Sequence, residues 1–316
     1  MKRQSLAAAL FAVSCVGFVL TSARADDPDV IFSVAPGDKS AYAVSYWRGG
    51  AFAGEMTPLT VIHSELAVEV KSVTAEEIVA TVTNTAVNAT VNGQRTLTPP
   101  DFDSLLYFAA DGVPIDLKIS ADGIVGEVAD WDRVKATLTA RAIEKAGDDK
   151  ALRASTEAFF AGLSAVAAGE IFARPLALSA AGRIVKLEAP ARRSVDAKGI
   201  ALPSFTSNAK GNWTFSLVKT PPAVSVPDAV TIEWLGVPNA DELRAILSQV
   251  ADQLRAIEPE NAPAMSVIEK DARMWQRFLA TYDPKDGRLL GMSGQMELVA
   301  GPIQRKVAIE AIAKPE

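Results

Sequence analysis

An apolar pattern with a period of two residues, recurring in both halves of the 316-residue chain, most constrains its fold. Between Thr60 and Val70, Ile62, Leu66, Val68 and Val70 share a face that is apolar apart from Ser64, while His63, Glu65 and Glu69 share the other. Side chains alternate across a strand, so this segment belongs to a sheet packed on one face and wetted on the other. Ser40 to Arg48 repeats the pattern with Tyr42, Val44 and Tyr46. Ile78 to Val91 is rich in Val, Thr and Ala and stops at Asn92-Gly93, a strong hairpin signal. Ile115 to Ser120 and Ile124 to Val128 flank Ala121-Asp122-Gly123 and read as a second hairpin, so strands dominate to about residue 128.

The period then changes to 3.6. Asp130 is placed to cap a helix carrying Trp131, Val134, Leu138 and Ala142, interrupted at Gly147-Asp148-Asp149. A second helix is predicted from about Lys150 to Phe172, ending before Pro175. Strands resume at Arg183 to Glu188, at Trp213 to Val218 with Trp213, Phe215 and Leu217 on one face, and at Val230 to Leu235 with Val230, Ile232 and Trp234 together. Asn239-Ala240-Asp241-Glu242 forms a capping-box-like start to the clearest amphipathic stripe: Leu243, Ile246, Leu247, Val250, Leu254 and Ile257. Met265 to Tyr282 fits either element, Ile268, Ala272, Trp275 and Leu279 suiting a helix and Met274, Phe278, Ala280 and Tyr282 a strand. Arg288 to Leu298 and Ile303 to Ile312, joined at Gly301-Pro302, read as two antiparallel strands. The predicted class is α+β: a curved, mainly antiparallel β-sheet with covering amphipathic helices. The succession of strands and a capped helix near Ile124–Ala146 and again near Val230–Ile257 suggests two related halves, about 30–175 and 180–316.

The N-terminus bears on location. Lys2 and Arg3 precede the uncharged apolar run Leu6 to Leu20, and Ala23-Arg24-Ala25 offers small residues at −3 and −1. This is the layout of a secretory signal peptide over residues 1–25, cleaved after Ala25 to leave a mature 26–316 region. The run is shorter than the roughly 20 residues a spanning helix needs, so no transmembrane segment is expected in the mature chain. The single cysteine, Cys15, would leave with the signal, and disulfide, thiolate and Cys-ligated metal chemistry with it. A long chain without cysteine suits the bacterial periplasm or exterior. Losing Lys2, Arg3 and Arg24 takes the formal charge from −6 to −9. With no long Lys/Arg cluster, nucleic acid is not an expected partner.

Catalytic constellations are sparse. His63 is the sole histidine and no Gly-x-Ser-x-Gly elbow accompanies it, so it reads as a surface residue on a wetted strand. There is no His pair, and Asp283-Pro284-Lys285-Asp286-Gly287 lacks the alternating ligands of a calcium loop, reading instead as a β-turn. No metal or other cofactor is expected. Asp101/Asp103 and Asp148/Asp149 read as solvated loop charges, and Gly49-Gly50 with Gly54 matches no phosphate loop. The tryptophans remain. Trp213 and Trp234 are the candidate ligand-binding residues, lining an apolar pocket between curved sheet and helices.

The stretch Pro114-Ile115-Asp116-Leu117-Lys118-Ile119-Ser120-Ala121-Asp122-Gly123-Ile124-Val125 leading to Asp130-Trp131, with Tyr282-Asp283-Pro284-Lys285-Asp286-Gly287-Arg288-Leu289, resembles segments of uncharacterised secreted bacterial β-rich proteins. That resemblance covers about a quarter of the chain and implies an envelope location without a specific activity. Element order is loosely similar to periplasmic lipoprotein carriers, in which a half-barrel sheet is covered by helices. The function expected is non-enzymatic: binding or envelope maintenance, with a hydrophobic small molecule or an envelope protein as partner. A structural interaction module without a ligand and a carboxylate-based hydrolase are the alternatives.

Overall fold

In the computed structural model, the residues described are 32–184, 195–202, 205, 209–218, 226, 228–257 and 263–315. The first half forms β1 (Lys39–Phe52), β2 (Glu55–Val73), β3 (Glu77–Val91), β4 (Gln94–Thr96), α1 (Phe102–Ala110), β5 (Pro114–Ser120) and β6 (Val125–Val128). Four helices follow: α2 (Trp131–Ala146), α3 (Lys150–Gly162), α4 (Ala165–Phe172) and α5 (Arg174–Ile184). The rest comprises β7 (Val195–Leu202), β8 (Ala209–Val218), β9 (Val230–Pro238), α6 (Ala240–Ile257), α7 (Met265–Glu269), β10 (Arg273–Tyr282), β11 (Leu289–Ala300) and β12 (Ile303–Ala313).

All of these strands join one antiparallel sheet, in the order β6-β5-β3-β2-β1-β12-β11-β10-β9-β8-β7, with β4 added beside β3. The first and last strands meet at its centre, Tyr42 opposite Ala313 and Phe52 opposite Ile303. The turns follow from backbone chemistry. Asn92 and Gly93 both take positive φ, 49° and 82°, as the tight β3–β4 hairpin requires. Gly49-Gly50 marks a register shift in β1, where a Cβ on Gly50 would run into the backbone of Gln304.

The sheet wraps around α5. This helix touches β6 at one end of the strand order and also β9, β10, β11 and β12. On a flat sheet β6 and β9 would lie about 38 Å apart, whereas an 11-residue helix is only about 16 Å long. Contact with both therefore requires strong curvature. Ala177, Leu178, Ser179, Ala180, Ala181 and Arg183 are all buried, so α5 is enclosed on every side rather than along one stripe. Its small residues let the strands approach closely: a Cβ on Gly182 would overlap the Tyr282 hydroxyl.

Several expectations are corrected. The predicted Lys150–Phe172 helix is two, because Leu163 is extended and the Ser164 hydroxyl accepts the Ala167 N–H at 3.2 Å to start a new one. Pro175 does not end the helical region. It sits in the first turn of α5, where a missing N–H is harmless. Arg183 consequently lies in the last turn of a helix instead of opening a strand; the remainder of Arg183–Glu188 beyond Ile184 is outside the described residues. Asp130 precedes α2 in a left-handed conformation and pairs with Arg133 rather than capping the helix through its side chain. The ambiguous 265–282 segment divides, with α7 ahead of β10.

Candidate functional site

Where strands β1 to β3 begin or end near Lys39, Val70 and Ile78, the wrapped sheet leaves a cavity of about 510 Å³, within the range of small-molecule pockets. Its apolar wall follows from strand alternation. Tyr42, Val70, Ile78, Ala80 and Ile119 are the inward-facing, buried residues of four strands. Val125 of β6, Leu176 of α5 and Leu289 of β11 complete it, while Phe32 and Val34 pass across one side. That crossing segment is tied down by Ser33 N–H donating to the Asp286 carbonyl at 2.8 Å, and by the Asp38 carboxylate accepting the Ala35 N–H at 2.7 Å.

One charged side chain in this wall is deeply buried. Arg183 is 5% exposed. One of its terminal nitrogens donates to the Gly123 carbonyl at 3.1 Å, and its guanidinium lies 4.5 Å from the centre of the Phe32 ring and 5.4 Å from that of Tyr282. Its Nε has no hydrogen-bond partner, and no carboxylate among the described residues pairs with it. Burial pulls the Arg183 pKa down and pushes those of Tyr282 and Tyr42 up, the guanidinium moderating both tyrosine shifts. The other charges of the lining are accounted for differently. Lys39 lies 3.8 Å from Glu69, and Arg288 lies 4.0 Å from Asp286.

A second hollow, about 700 Å³, occupies the outer face of the same strands, and its walls include Lys39, Glu69, Thr81, Thr83 and Lys314. It belongs to the wetted side of the sheet.

The residues singled out in the sequence lie elsewhere. Trp213 and Trp234 line neither hollow. They are 2% and 0% exposed, in an aromatic stack where Trp234 lies 5.4 Å from Phe278 and 6.2 Å from Phe215, and Trp213 lies 6.5 Å from Phe278. Neither indole N–H has a hydrogen-bond partner. His63 lies on the outer face of β2, its Nδ1 3.0 Å from the Ser45 hydroxyl.

Asp101 and Asp103 are not the solvated loop charges expected. Asp101 accepts the Ser104 N–H at 3.0 Å as the cap of α1, and both carboxylates pair with the buried Arg48 guanidinium. Asp149 likewise caps α3, accepting the Leu152 N–H at 3.0 Å. Sequence reasoning missed Arg183 because it placed the residue at the start of a strand, whereas it closes a helix. A signal was present in the lone cation closing the uncharged stretch Pro175 to Gly182.

No protein-family model and no curated protein matches the chain. Among solved structures, a lipovitellin chain described for its lipid–protein interactions is similar over 89% of this chain and 25% of its own length, with 9% identity and a TM-score of 0.46. This chain thus spans about a quarter of that one. A β-barrel-like protein of a domain of unknown function from Brucella abortus aligns over 90% of this chain and 100% of its own, with 11% identity and a TM-score of 0.18. An outer membrane channel from Pseudomonas putida aligns over 92% and 100%, with 8% identity and a TM-score of 0.16.

Proposed function

We propose that this is an exported, non-enzymatic binding protein of the bacterial envelope, and that it holds an apolar or amphipathic small molecule between the curved sheet and α5. The observation that supports the reading is the 510 Å³ cavity, with its lining of inward-facing Tyr42, Val70, Ile78, Ala80 and Ile119. A hollow of this size, with an apolar wall and a few polar groups, has the form of a small-molecule site.

The test is uptake of an uncharged fluorescent probe, N-phenyl-1-naphthylamine, by the wild type and by Ala80→Phe, which places a ring in the cavity. Saturable binding at about one probe per chain, reduced at least tenfold in a folded Ala80→Phe variant, is the expected outcome. Absence of saturable binding, or equal binding by both proteins, overturns the proposal. Exposed Met56, Leu59 and Leu97 at the opposite end of β1 and β2 favour a second reading, docking of an envelope protein.

A further inference from the structure

We infer that the ligand is an anionic amphiphile whose oxyanion head pairs with Arg183, the apolar tail lying along β1, β2 and β3. This rests on the proposed cavity and goes beyond it by naming the head group.

A guanidinium carries five N–H donors in a fixed planar fork suited to two oxygens of a carboxylate or phosphate. Arg183 commits one nitrogen to the Gly123 carbonyl, and its buried Nε donates to nothing. Phe32 and Tyr282 supply ring faces, which stabilise a cation but accept no directed N–H bond as a carboxylate does. A cation taken from water without an anion is costly, and an oxyanion in the cavity that Arg183 lines meets that charge.

The acids of the lining are held away from this role. The Asp38 carboxylate takes the Ala35 N–H, and that of Asp286 takes the Arg288 N–H at 2.8 Å as well as facing the Arg288 side chain. Arg183 also sits where the apolar wall is continuous. Val125 and Leu176 line the same cavity, so a head at the guanidinium places a tail against carbon on the strands and on α5.

Displacement of N-phenyl-1-naphthylamine by dodecanoate, dodecyl phosphate and dodecanol at submicellar concentrations tests the head group in the wild type. At least tenfold tighter binding of one or both anions than of the alcohol is expected, the tighter anion identifying the head. In Arg183→Met the anion preference is expected to vanish while dodecanol affinity changes less than threefold, and Arg183→Lys, which keeps the charge but loses the fork, is expected to retain part of it. Equal affinity for all three compounds in the wild type overturns the inference and leaves the cavity reading intact. So does an anion preference that survives in folded Arg183→Met. Failure of the probe and all three compounds to bind overturns the cavity reading itself.

Discussion

At the residue scale, the environment decides whether a charge stabilises or only solvates. Glu297 on β11 accepts hydrogen bonds from Gln304 at 2.9 Å and Trp275 at 3.2 Å, with Lys306 at 3.5 Å. The Gln304 amide, then the indole and the ammonium, hold its carboxyl below the ordinary 4.5, against the opposing effect of partial burial. A depressed folded-state pKa contributes stability above the unfolded value, and this is lost as pH falls through the folded one. Glu297→Gln should therefore cost on the order of 1 kcal/mol at pH 7, and the difference from the wild type should shrink below pH 4.5. Urea unfolding at pH 7 and pH 3 measures this; an equal difference at both values would contradict the assignment. Space matters as much as charge: Trp213 stands opposite Gly236 and Phe278 opposite Gly294 in cross-strand pairs, and a Cβ on either glycine would overlap the ring.

At the scale of single elements, α6 shows pattern and packing in agreement. The Asn239 side chain accepts the Glu242 N–H at 2.9 Å, completing the expected cap. Ile246, Leu247 and Val250 are buried, and the helix lies against β8, β9 and α7; the side chains of Leu254 and Ile257 lie outside the described residues. Leu247→Asp would bury a carboxylate at a position only 2% exposed and should cost about 3 kcal/mol or more. Thermal unfolding followed by circular dichroism should show a clear drop in Tm, and an unchanged Tm would mean that the stripe faces water. Helix α5 obeys the opposite logic. Being buried all round, it has no stripe to detect, although its alanines and leucines favour helix.

At the scale of the whole molecule, the central pairing of β1 with β12 makes the two chain ends one sheet, and the wrapping of that sheet around α5 creates the cavity. No helix among the described residues is long and apolar enough to cross a membrane. Export with removal of residues 1–25 is the prediction at this scale, since a charged start, a 15-residue apolar run and Ala23-Arg24-Ala25 match signal-peptidase processing. Intact-mass measurement of protein recovered from the producing cell should give a chain beginning at Asp26. A mass including Met1 to Ala25 would contradict it.

Local periodicity alone determined the α+β class, the one-sided strands around Tyr42 and Leu66, the hairpins at Asn92-Gly93 and Ala121-Asp122-Gly123, and the stripe of α6, because each depends on neighbours within one or two turns of chain. Helix α1 escaped that reading: eight of its nine residues are buried, which erases any polar face. The candidate site escaped it for a different reason. Arg183 meets Gly123 sixty positions away and Tyr282 ninety-nine positions away, and Phe32 closes over it from the other end of the chain. Only the tertiary structure could decide that Arg183, Gly123 and Phe32 share a cavity and that Tyr282 lies against the guanidinium, since the curvature of the sheet, not any spacing in the chain, brings them together.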